Sequence, residues 1–110
     1  MSVSKEYLQY VLDLVSSVGD VRTRRMFGGV LLKVGDKQLG ILIDETMYFK
    51  VVDPEQQEQY KNKGSVQFTY TRKDKKNPVV IKNWWSVPDD AMDNREEMVR
   101  LAEEVLRQIQ

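Results

Sequence analysis

Within residues 4–18, Leu8, Val11, Leu12 and Val15 recur at i, i+3, i+4 and i+7, the spacing of one helical face. Ser4 stands where an N-cap belongs, Glu6 suits the positive end of the helix dipole, and Gly19 is placed to end the helix. The period then changes. Residues 22–52 carry short runs of branched and aromatic side chains broken by turn pairs. Residues 30–34 and 39–43 flank Gly35-Asp36, a two-residue hairpin signal with glycine first. Asp44-Glu45 makes a second turn, and residues 47–52 form the next strand. Connections this short join antiparallel neighbours.

The second half returns to helical punctuation. Asp53 is placed as an N-cap, Pro54 at the first helical position and Gln56 where a capping box closes. Gly64 marks the stop, and Tyr60 is the one strongly apolar residue between, which predicts a short helix on the surface. Residues 66–71 and 79–85 read as strands, with Pro78 at the start of the second, where a missing N–H is tolerated. Residues 87–90 form a turn or a single helical turn. The last helix starts at about Asn94, with Asp93 as N-cap and Glu96 completing the box, and carries Met98, Leu101, Ala102, Val105 and Ile109 as its apolar stripe. These elements predict an α+β domain. One antiparallel sheet of about five or six strands is flanked by N- and C-terminal helices that lay their stripes on one face. With no repeat, linker or low-complexity segment, residues 1–110 read as one domain.

Composition narrows the chemistry. A hydrophobic fraction of 41% supports an ordinary core. Lys+Arg and Asp+Glu both number 17, which weighs against a protein that coats polyanions generally and leaves only local patches. Cysteine is absent, which excludes disulfides, thiol nucleophiles and thiolate metal sites. Histidine is absent too, which removes the commonest general base near neutral pH and the commonest metal ligand. Ser16, Ser17 and Ser86 therefore have no imidazole to activate them, and no spacing points to a lysine or paired-carboxylate mechanism. Asp89, Asp90 and Asp93 lack the glycine and terminal glutamate of a calcium loop and fit turn formation and capping. The expectation is a non-enzymatic protein without cofactor or metal. No signal-type or membrane-spanning stretch occurs, so the expected compartment is the cytoplasm.

Candidate binding residues fall in three places. The run Arg24-Arg25-Met26-Phe27-Gly28-Gly29 opens the strand block. Strand alternation puts Arg22 and Arg24 on one face and Arg25 on the other. As binding groups these arginines would hold phosphates or an acidic protein surface; as structural ones they are solvated charges paired with the carboxylates of the C-terminal region. Gly28-Gly29 is not followed by a Lys-Ser/Thr helix start, so no nucleotide fingerprint exists and a bulge or sharp bend is expected. Arg72, Lys73, Lys75 and Lys76, with Tyr70 nearby, would contact a nucleic-acid backbone or simply solubilise a hairpin tip. Trp84 and Trp85 are strand neighbours and point to opposite faces. One joins the face that packs on the helices. The other requires a second-face core or an interface, a homodimer included.

With these motifs in order, the chain resembles the N-terminal domain of the TfoX/Sxy family of bacterial competence regulators. Residues 24–29 match the family's opening signature, Met47-Tyr48-Phe49-Lys50-Val51 its central strand, Phe68-Thr69-Tyr70 its Phe-x-Tyr strand, and Trp84-Trp85-Ser86-Val87-Pro88 its aromatic pair before Val-Pro. The resemblance implies an α+β fold similar to the type III secretion chaperone arrangement and a non-enzymatic regulatory role. It implies a competence-type co-activator of transcription that works through a protein partner of the cyclic-AMP receptor protein type. The second, helical domain of those regulators would begin where this chain stops. Candidate partner contacts are Arg24, Arg25, Met26, Phe27, Gly28, Gly29, Trp84 and Trp85. The alternative is direct nucleic-acid binding through Arg22, Arg24, Arg72, Lys73, Lys75 and Lys76.

Overall fold

The computed structural model of the chain describes residues 3–26, 28–70 and 79–109. Phe27 and the basic cluster Arg72, Lys73, Lys75 and Lys76 lie outside the described residues. Helix α1 spans Lys5–Leu14, capped by Ser4, whose hydroxyl accepts the Tyr7 N–H at 3.1 Å. It is shorter than the apolar spacing predicts. The chain tightens after Val15 into a 3-10 turn, Ser16–Val18, before Gly19. Strands β1 (Val21–Met26), β2 (Gly29–Val34), β3 (Lys37–Ile43) and β4 (Thr46–Lys50) follow as an antiparallel meander. Left-handed residues sit first in both later turns, Gly35 with φ 61° and Asp44 with φ 54°. Glycine takes that conformation freely, and Asp is among the few other residues that tolerate it.

Helix α2 (Pro54–Asn62) carries the chain across to the far edge. Asp53 caps it by accepting the Gln56 N–H at 3.1 Å, but the Gln56 amide donates to Glu104 of the last helix instead of closing the box. The helix is not a bare surface element as its sequence predicts. Tyr60 and Gln56 are both buried, and Tyr60 joins the main core. Strands β5 (Gln67–Tyr70) and β6 (Val79–Ser86) complete a six-stranded sheet in the order β1-β2-β3-β4-β6-β5, with every ladder antiparallel. Short helix α3 (Asp89–Met92) leads into α4 (Arg95–Gln108). Here the cap lies one residue later than the sequence pattern suggests. Asn94, in extended conformation, accepts the Glu97 N–H at 3.1 Å, while Asp93 closes α3.

The sheet divides its apolar residues between two clusters. On one face α1 and α4 pack Val11, Leu14, Met98, Leu101 and Val105 onto Leu32, Leu42, Met47, Phe49 and Trp85. This is the helix-covered core that the two apolar stripes predict. On the opposite face Leu31, Ile41, Phe68 and Trp84 form a smaller buried cluster. The rings of Tyr48 and Phe68, from strands separated by β6, stand 5.2 Å apart. Strand β6 is irregular between these two halves. Asn83 has φ 73°, its carbonyl accepts the Val51 N–H at 2.6 Å, and the Gln57 amide reaches both Val51 O and Asn83 Oδ1. Helix α2 thus holds the kink that separates the two ends of β6, and Asn supplies a side chain compatible with that backbone.

Candidate interaction surface

Strand β1 forms one edge of the sheet, and Arg22, Thr23, Arg24 and Arg25 along it are all exposed. Register fixes which arginine looks where. Arg24 pairs across the ladder with Leu31 and Arg22 with Lys33, which places both on the face opposite the helices. Arg25 pairs with Val30 and belongs to the helix side. The split expected from alternation is thus the one observed.

What the sequence pattern did not bring together is a transverse row on that second face. Arg22 lies opposite Lys33, Lys33 opposite Gln38, Lys50 donates to Gln38 Oε1 at 3.2 Å, and Lys50 lies opposite Trp84. The Lys50 ammonium stands 6.0 Å from the centroid of the Trp84 ring, the outer limit of a cation–π contact. Lys33 and Lys50 could have been placed from sequence. Each shares strand parity with a second-face residue, and the Gly35-Asp36 turn fixes the β2–β3 register. A bulge at Leu39, where the pairing steps from Leu32–Gly40 to Lys33–Gln38, is what aligns Gln38 with the row.

Partners of these cations are few. Arg22 meets Asp20 at 3.2 Å, both side chains 81% exposed, so the pair is screened and weak. The C-terminal carboxylates expected to neutralise β1 instead serve α4, where Arg100 binds Glu97 and Glu104. Among the described residues Arg24 and Arg25 have no ion pair.

The remaining candidates have structural positions. Met26 packs at the rim of the second-face cluster. Gly28 has φ 76°, a left-handed backbone suited to glycine. At Gly29 a Cβ would fall 2.0 Å from the Leu42 carbonyl oxygen, so β2 and β3 meet there only because the side chain is absent. Trp84 and Trp85 point to opposite faces as expected, and both are buried. Trp84 rests among Leu31, Ile41 and Phe68, whereas Trp85 lies in the helix-covered core, where its Nε1–H has no hydrogen-bond partner.

No group of His, Cys, Asp or Glu able to hold a metal occurs among the described residues, and none of their helices is long and apolar enough to cross a membrane. Asp89 and Asp90 occupy the first turn of α3, Asp90 stands 4.0 Å from Lys63, and Asp93 accepts the Tyr10 hydroxyl at 3.4 Å. That neighbouring carboxylate and, first, burial raise the Tyr10 hydroxyl above its ordinary pKa. Such groups are arranged for folding, and nothing in their geometry pairs a nucleophile with a base.

An α+β domain with a helix-covered core, a second aromatic cluster and a cationic row is therefore defined by architecture and surface charge, without a reactive constellation. The chain belongs to the TfoX N-terminal domain family, whose model matches residues 13–109. That family is not a known enzyme family. A comparison with curated proteins finds no match.

Proposed function

We propose that the domain is a regulatory protein-interaction module, a cytoplasmic TfoX-like accessory to transcription regulation, and that it meets its partner on the second sheet face. The row of Arg22, Lys33 and Lys50, with Arg24 beside it, carries this proposal. Arginine and lysine carried on paired strands beside a buried aromatic cluster have an ordered backbone, so little backbone freedom is lost on binding. The partner offers an acidic surface, and a transcription factor of the cyclic-AMP receptor protein type is the candidate that family membership suggests. Charge reversal on this face, R22E/R24E, is expected to abolish capture of such a partner from nuclease-treated lysate, while R25E on the helix side leaves capture intact. Equal capture by all three proteins would refute the assignment of the face.

A second reading is direct nucleic-acid binding, favoured by the same row because Lys33 and Lys50 extend the cationic strip beyond β1. It predicts an affinity for single- or double-stranded DNA that falls steeply with salt. Binding that is independent of ionic strength, or capture that survives nuclease, would exclude it.

A further inference from the structure

A cleft of about 300 Å³ opens where the β3–β4 turn, the start of β5, α1 and α3 converge. We propose that it receives an arginine side chain from a polypeptide partner. Glu45 and Asp89 line it, no lysine or arginine does, and neither carboxylate has a hydrogen bond or ion pair among the described residues. Val66 on its wall is 61% exposed, the most exposed large apolar side chain among the described residues, and Met92 lies beside the same space. These would cover the methylene stem of a long cationic side chain. Tyr7 and Tyr48 also line the space, and aromatic side chains are ones on which a planar guanidinium can stack. The Tyr7 hydroxyl, pushed up to about 12 by burial and then by the charge of Glu45, is neutral at about pH 7 as any ordinary tyrosine is, and adds no charge to the two carboxylates of the cleft.

A smaller hollow adjoins the cleft and shares Ser86, Val87 and Asp89 with it. Ser65 lines this hollow at 7% exposure, and its hydroxyl has no hydrogen-bond partner. A buried hydroxyl without a partner, in the hollow that Asp89 borders from both sides, is a second, independent acceptor for a guanidinium, which carries five N–H donors. Lys63 also lines the hollow, with its ammonium 4.0 Å from Asp90. Phosphate-bearing ligands are repelled by the main cleft, whose lining has two carboxylates and no lysine or arginine. The cleft is therefore opposite in charge preference to the basic row, and its test is independent of that surface.

The probe is N-acetyl-arginine amide, with N-acetyl-citrulline amide as its neutral isostere, followed by methyl and amide NMR shifts. Saturable shifts are expected at Val66 and Met92 with the arginine probe and none with citrulline. E45Q/D89N, which alters two exposed or unpaired carboxylates and leaves the core intact, is expected to weaken binding about tenfold, the effect of two modest ion pairs. V66S is expected to weaken it severalfold without removing charge. Equal shifts with citrulline, arginine shifts unchanged in E45Q/D89N, or the absence of saturable shifts in the cleft would each overturn the proposal.

Discussion

Replacing Gly29 with alanine tests whether the family signature is a folding device. A Cβ there would sit 2.0 Å from Leu42 O and 2.5 Å from Ile43 Cδ1. An ordinary carbon–oxygen contact is about 3.3 Å, so the overlap with the carbonyl exceeds about 1 Å. The isoleucine methyl can rotate away. The carbonyl cannot, because it belongs to the ladder in which Leu42 pairs with Val30. Relief requires β2 and β3 to part locally. Overpacking strain of about 1–3 kcal/mol adds to roughly one weakened ladder hydrogen bond, giving about 3 kcal/mol in total. That is a large share of a stability of about 5–15 kcal/mol. Gly35 is the internal control: nothing lies within 4 Å of a Cβ there, but φ is +61°. G35A carries only the left-handed penalty of about 1–2 kcal/mol, and G35N recovers most of it. Urea unfolding followed by circular dichroism, with m held common, measures all three. A G29A cost no greater than that of G35A would refute the steric argument.

Two further predictions concern the helices. Because Asn94 and not Asp93 accepts the Glu97 N–H, N94A should cost about 1 kcal/mol and D93A clearly less, measured by the same unfolding assay; the reverse order would restore the pattern-based cap. The Tyr7 hydroxyl is raised from 10.0 to about 12 by burial first and Glu45 second. The folded state therefore holds this proton more tightly than the unfolded state. The associated stability is complete below pH 10 and is lost as pH rises from 10 towards 12. Two pH units would amount to about 2.7 kcal/mol, but the half-buried ring is screened by solvent, so about 1 kcal/mol is expected. Comparison of urea midpoints at pH 9 and 11 should show a smaller alkaline loss in Y7F than in the parent, and an identical loss would refute it.

Most of the fold was legible because its signals are local. Ser4, Asp53-Pro54 and the Gly35 turn act within three or four residues, and each appears where its chemistry requires. The apolar stripes of α1 and α4 likewise carried the identity of the covered face. The misses arose where two local solutions compete or where distance decides. Asp93 and Asn94 are both good caps, and the end of α3 settles between them. Tyr60 looked isolated along α2, yet the fold buries it against residues far away in the chain. The basic row was only half visible. Arg22 and Arg24 announce themselves in sequence, whereas Lys33, Gln38 and Lys50 join them through ladder register and the bulge at Leu39.

The two faces of the sheet also explain how adjacent tryptophans can both be structural. Trp85 lies opposite Phe49 under the helices, and Trp84 opposite Lys50 on the other side. Each ring is buried by a different layer, so the pair ties β6 into both clusters at one point. The kink at Asn83, immediately before it, separates that anchored end from the part of β6 that pairs with Thr69 and Tyr70. Charge at the surface follows from this arrangement. Because Trp84 fills the second face from below, Lys50 is displaced to its rim and held by Gln38, which aligns it with Lys33 and Arg22. Aromatic packing and cationic display are thus one construction: a second-face cluster without Trp84 would leave Lys50 free to fold inward and remove the last cation of the row.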